Sequence, residues 1–246
     1  MHLPTPRTTP ARILAILVLA LAGFAFGIAL FMPWDKLWTS VLVRFDEELS
    51  SAGFSWESMD REGPLSFRLV NLEVAAAGMP GVLRFEHAYV RMGNSPLAKV
   101  RLDTGGPQCT LGIYRNGRFE FEGELNLTYL FGHGDYQGQL HASGSLFLPA
   151  GAVLPKKGWV DLRSQQLILP RNRMCRDFAF TAEVADADVR IRDFSIAAPL
   201  AVRAGGSMKL SPTNLFASTY AVQGERDVNG STIPYASSGI LADVLE

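Results

Sequence analysis

The residues best suited to chemistry are sparse in this chain. His133, Asp135 and His141 lie close in sequence, and in an extended strand these odd positions share one face. Histidine and aspartate are metal ligands, but this spacing matches no established metal signature, and Gly132 and Gly134 break the segment. A polar solvent face is the simpler expectation. The same two histidines are the only clustered pair on which a hydrolase could draw. Glu120, Glu122 and Glu124 form a carboxylate ladder. A glycosidase needs two carboxyls across a cleft, about 5–10 Å apart, and three acids on one face of one strand do not supply two sides. They are expected on a solvated face, paired with arginines on a neighbouring strand. Cys109 and Cys175 are the two cysteines, and they fit either one disulfide or two buried thiols. The chain contains no Gly-x-Ser-x-Gly elbow, phosphate-binding loop, His-Glu-x-x-His or Cys-x-x-Cys. The sequence therefore predicts neither an enzyme nor a cofactor or metal site.

The strongest signal is a run of 19 uncharged residues, 13–31. As a helix it spans about 28 Å, close to the hydrocarbon thickness of a bilayer. Arg7 and Arg12 precede it, and Trp34, Asp35, Lys36 and Trp38 follow. Cationic residues stay on the cytoplasmic side, and tryptophans suit the far headgroup region. The run predicts a cytoplasmic tail (1–12), a transmembrane helix (13–32) and about 215 residues outside the cytoplasm. A cleaved signal peptide is the alternative, with crude cleavage patterns at Ala25-Phe26-Gly27 and Gly27-Ile28-Ala29. The apolar run continues past both, which favours a retained anchor. Of 23 basic residues, 21 follow the run, against all 24 acidic ones, so no basic excess points to nucleic acid.

Beyond the anchor, residues 33–53 read as a short amphipathic helix. Leu37, Val41, Phe45 and Leu49 form its stripe, and Gly53 ends it. From residue 54 the period changes to two, predicting a β domain over 54–246. The apolar phase slips from Leu65, Phe67 and Leu69 to Val70, Leu72 and Val74, which predicts a bulge or face switch near Val70-Asn71. Asn116-Gly117 is the strongest hairpin signal. Phe119, Phe121, Leu125, Leu127 and Tyr129 are expected on one face of a single strand. About ten short strands are expected in all, with residues 227–246 unassigned. The fold class is all-β, a large curved antiparallel sheet forming a roll or open barrel-like body.

The order of elements in the first module carries a resemblance. An anchor and short helix lead into GFSWESMDREGPLSFRLVNLEV, then VLRFEHAYVRM, SPLAKVRLD and GGPQCTLGI. This order resembles the opening module of AsmA-like proteins, and within that group it is most similar to the bacterial type II secretion system protein N family. The similarity covers about residues 13–113, and beyond that only a general run of strands. The resemblance implies a single-pass inner-membrane protein with a cytoplasmic N-terminus and a periplasmic β domain. It implies an accessory or assembly role in type II secretion, without catalysis, through binding to other secretion-system or envelope proteins. The alternative is lipid handling of the AsmA-like or lipopolysaccharide-transport kind, with Phe119, Phe121, Leu125, Leu140 and Leu146 lining an apolar groove.

Overall fold

The computed structural model describes residues 52–63, 65–76, 82–132, 136–152, 154–214, 217–228 and 230–242, together with 33, 36 and 40. The predicted tail and transmembrane segment lie outside the described residues, as does most of the predicted amphipathic helix. Of the latter, Lys36 and Ser40 are helical, and the Ser40 hydroxyl donates to the Lys36 carbonyl at 3.0 Å. Among the described residues, no helix is long and apolar enough to cross a membrane.

Fourteen strands form one antiparallel sheet. They are β1 (Ala52–Ser55), β2 (Ser58–Gly63), β3 (Ser66–Ala76), β4 (Leu83–Met92), β5 (Ala98–Asp103), β6 (Gln108–Ile113), β7 (Arg118–Asn126), β8 (Gln137–Phe147), β9 (Lys157–Leu169), β10 (Arg173–Ala185), β11 (Asp188–Ile196), β12 (Val202–Lys209), β13 (Thr219–Val228) and β14 (Ser231–Ile240). Both β1 and β2 pair with β3, and from there each strand pairs with the next in sequence to β14. No described strand closes the sheet into a barrel. The strand count exceeds the expected ten: β1 and β2 add two arms that both pair with β3, and β14 lies in residues 227–246, for which no strand was expected. Ala52 and Gly53 belong to β1, so the extended structure starts two residues earlier than expected.

Alternation gives the sheet two unlike faces. One cross-strand row runs Phe67, Val90, Val100, Leu111, Phe121, Gly144, Val160, Ala182, Ile191, Gly206, Val222 and Ser237. The neighbouring row on the other face runs Arg68, Tyr89, Arg101, Thr110, Glu122, Ser143, Asp161, Thr181 and Asp193. The first row is apolar or small until it reaches Ser237 on the last strand. The second is polar throughout.

The expected phase slip in β3 is present. Asn71 has a positive φ of 50°, and the apolar phase changes from Phe67 and Leu69 to Leu72. Asparagine tolerates the left-handed region better than most residues. The Asn71 amide also donates to the Glu57 carboxylate. Across the ladder, β4 slips in step: Ala88 faces Leu69, Phe85 faces Leu72, and all four are buried. The paired slip keeps the apolar side chains of both strands on one face.

The expected strand through Tyr129 is overturned. Residues Leu127–Phe131 form a short helix, α1. Asn126 caps it: its side-chain oxygen accepts from the Thr128 N–H at 3.1 Å, and Gly132 ends it at φ 63°. An Asn cap with a left-handed Gly stop overrides the alternating pattern here. Leu127 and Leu130 are buried with Phe67, Leu69, Leu72, Phe85, Ala88, Leu167 and Cys175. The helix packs against β4, β7 and β8. Four strand spacings separate β4 from β8, about 19 Å if flat, while a helix with side chains is about 10–12 Å across. The sheet therefore bends around α1. Asn126→Ala should cost about 1 kcal/mol of stability in chemical denaturation, since the Thr128 N–H loses its acceptor.

Candidate binding surface

The bend turns the apolar face into a trough. The five predicted groove residues lie on it together: Phe119 pairs with Leu146, Phe121 with Gly144, and Leu125 with Leu140. All five are half-buried. Three hydrophobic clusters follow one another along this face. The first contains α1. The second holds Ala182, Val184 and Val189, and the third Ile191, Ala204 and Val222. Among the described residues, α1 is the only helix of more than one turn that lies on the face.

Glycines stand in the floor of the trough where neighbouring atoms approach too closely to admit a side chain. At Gly144, an added Cβ would fall 2.5 Å from the Phe121 ring and 2.7 Å from the Trp159 carbonyl. Phe121 lies across the space this glycine leaves. At Gly206 and Gly224 the obstruction is backbone, from the Ala221 and Arg203 carbonyls. Sequence reasoning found the trough over β7 and β8 but missed its extension through β14. The signal was present in the inward positions of β12–β14, but Ala204, Gly206, Gly224, Ser237 and Gly239 interrupt the large side chains there. Counting glycine as a permitted apolar-face residue recovers the period.

The cysteines lie apart in the strand order, Cys109 on β6 and Cys175 on β10. Both are free and buried. Burial pushes both thiols above their ordinary pKa, partly offset by a backbone hydrogen bond from Glu122 at Cys109 and by Arg173 at Cys175.

The polar face holds the remaining candidates. Glu120 accepts from the Tyr114 hydroxyl at 2.6 Å and pairs at 3.4 Å with Arg118, an arginine of its own strand rather than of the neighbouring strand expected. Glu124 lies opposite His141, and His141 opposite Arg163. These three line a shallow cleft of about 750 Å³ with Gln139, Gln165 and Asp177. His133 and Asp135 lie outside the described residues, and no set of three or more His, Cys, Asp or Glu among the described residues could hold a metal ion. Beside the cleft, the Asp161 carboxylate accepts from Arg163 at 2.8 and 3.1 Å and from the Thr181 hydroxyl at 2.9 Å. The Arg163 bonds hold its pKa below the usual carboxylate value, against desolvation and with help from Thr181. A depressed carboxylate stabilises the fold fully above its unfolded pKa of about 3.9 and loses that contribution as pH falls through the folded value. Asp161→Asn should therefore lower Tm at neutral pH and flatten the acid limb of a Tm-against-pH curve.

Fold and surface together define a class: an open, largely β, antiparallel sheet with one apolar trough and one polar face. No protein-family model matches this sequence, no curated protein matches it, and no solved structure matches its fold.

Proposed function

We propose that this protein acts by binding, as a membrane-anchored accessory component of the type II secretion system, with the trough as its contact surface. The observation that carries a binding role is the continuity of the apolar face from β3 to β13. Along it Val90, Val100, Leu111, Phe121 and Val160 are only half-buried, and an apolar face left partly open is stabilised when a ligand or partner covers it. The secretion setting and the inner-membrane, periplasmic placement rest on the resemblance over residues 13–113, together with the uncharged run 13–31. A second reading, lipid handling of the AsmA-like kind, is favoured by the half-buried apolar side chains Phe119, Phe121, Leu125, Leu140 and Leu146 that this face brings together.

Site-specific photocrosslinking in cells tests both. A benzophenone side chain replaces Phe121, in the trough, or Glu122, on the opposite face, in the full-length chain. Adducts to a secretion-system protein from position 121 alone support the first reading. Lipid adducts from that position alone support the second. Equal yields from both positions, or none from either in a folded protein, would sink the trough as a binding surface.

A further inference from the structure

One charged side chain stands on the apolar face where its neighbours are uncharged. In β13 the inward positions are Tyr220, Val222, Gly224 and then Arg226. Across the ladders, Arg226 lies between Val202 and Ile233. Every other inward-facing position of β11–β14 is uncharged. Its flanking acids, Glu225 and Asp227, alternate to the other face, and the Asp227 carboxylate accepts from the Gly230 N–H at 2.8 Å. Arg226 has no ion-pair partner among the described residues, and its Nε is buried without a hydrogen-bond partner.

A buried guanidinium nitrogen without an acceptor costs free energy. Arg226 sits near the β13–β14 turn, at one margin of the trough, with the apolar rows leading away from it. A guanidinium offers a planar fork of donors that matches phosphate oxygens. An occupant satisfying both features has apolar chains and an anionic head at one end.

We propose that Arg226 receives the phosphate of a phospholipid whose acyl chains lie in the trough, which fixes the direction in which the lipid enters. This rests on the lipid-handling reading of the trough. Without a lipid there, the assignment of Arg226 falls with it.

The test compares phosphatidylglycerol with a diacylglycerol of identical chains, which differs in lacking the phosphate and its glycerol. Full-length protein carries a benzophenone in place of Tyr235, which faces Gly224 beside Arg226, and adducts are read by mass spectrometry as each lipid is titrated. Phosphatidylglycerol should saturate labelling at a concentration about tenfold or more below diacylglycerol, the scale of one charge-assisted hydrogen bond. Arg226→Gln should remove that preference while leaving diacylglycerol labelling unchanged, and Arg226→Lys should keep part of it. Inorganic phosphate should compete poorly. Equal labelling by both lipids in the wild type, or a preference surviving in Arg226→Gln, overturns the role of Arg226 and leaves the trough as a lipid site. Strong competition by inorganic phosphate makes the site a simple anion site and overturns the lipid assignment. Labelling by neither lipid, with the fold intact by circular dichroism, overturns the lipid reading itself.

Discussion

Phe67→Ala should lower unfolding free energy by about 3–5 kcal/mol, the range for removing a buried aromatic ring and leaving a cavity. Phe67 is 3% exposed and packs in the cluster that joins β3 and β4 to α1. The site cannot collapse easily, because its neighbours Leu69, Leu72 and Phe85 are fixed by the paired phase slip in β3 and β4. Urea denaturation monitored by circular dichroism measures the loss. A loss below about 1 kcal/mol would mean that the cluster around α1 is loosely packed.

The second large effect is expected at Gly224. A Cβ there would fall 2.0 Å from the Arg203 carbonyl and 2.5 Å from the Ala204 Cα. Both obstacles are backbone, so no side-chain rotation relieves them. Gly224→Val must push β12 and β13 apart or break their ladder, at a cost above the usual ~1–3 kcal/mol of overpacking. Hydrogen exchange should show it as faster exchange across β12–β14, with β3–β6 protected as before. Gly230→Ala supplies the contrast. Its added Cβ meets nothing within 4 Å, so its cost comes from backbone strain at φ 80° alone.

Much of the sheet was legible because its physics is local. The alternation in β7 and β8 followed from Phe119, Phe121, Leu140 and Leu146, and the Asn116-Gly117 turn lies where a hairpin requires it, with the Gly117 N–H donating to Tyr114. The slip at Asn71 was visible in β3, but its echo in β4 was not, since Phe85 and Ala88 become partners only once the register is known. The segment 127–131 misled because Leu127 and Tyr129 continue a period of two. The competing signal, Asn126 and Gly132 bracketing one and a half turns, was weaker by eye but decisive in energy. Strand β14 escaped notice because Ser237 and Gly239 fill inward positions and Pro234 argues against a central strand. Its place at the end of the strand order accommodates that proline. Arg226 was invisible as a site, because its meaning comes from the face it shares.

The strand order carries a last consequence, for assembly. From β3 to β14 each strand pairs with its immediate successor. Ladders between sequence neighbours close short loops, and their entropy cost is paid in small steps. The sheet can therefore grow one hairpin at a time from its first strands as the chain is released, each new strand templated by the last. An architecture built this way has no fixed width. Duplicating a hairpin such as β11–β12 in register should lengthen the trough without refolding the rest, as in repeat proteins whose stability is summed from neighbour to neighbour.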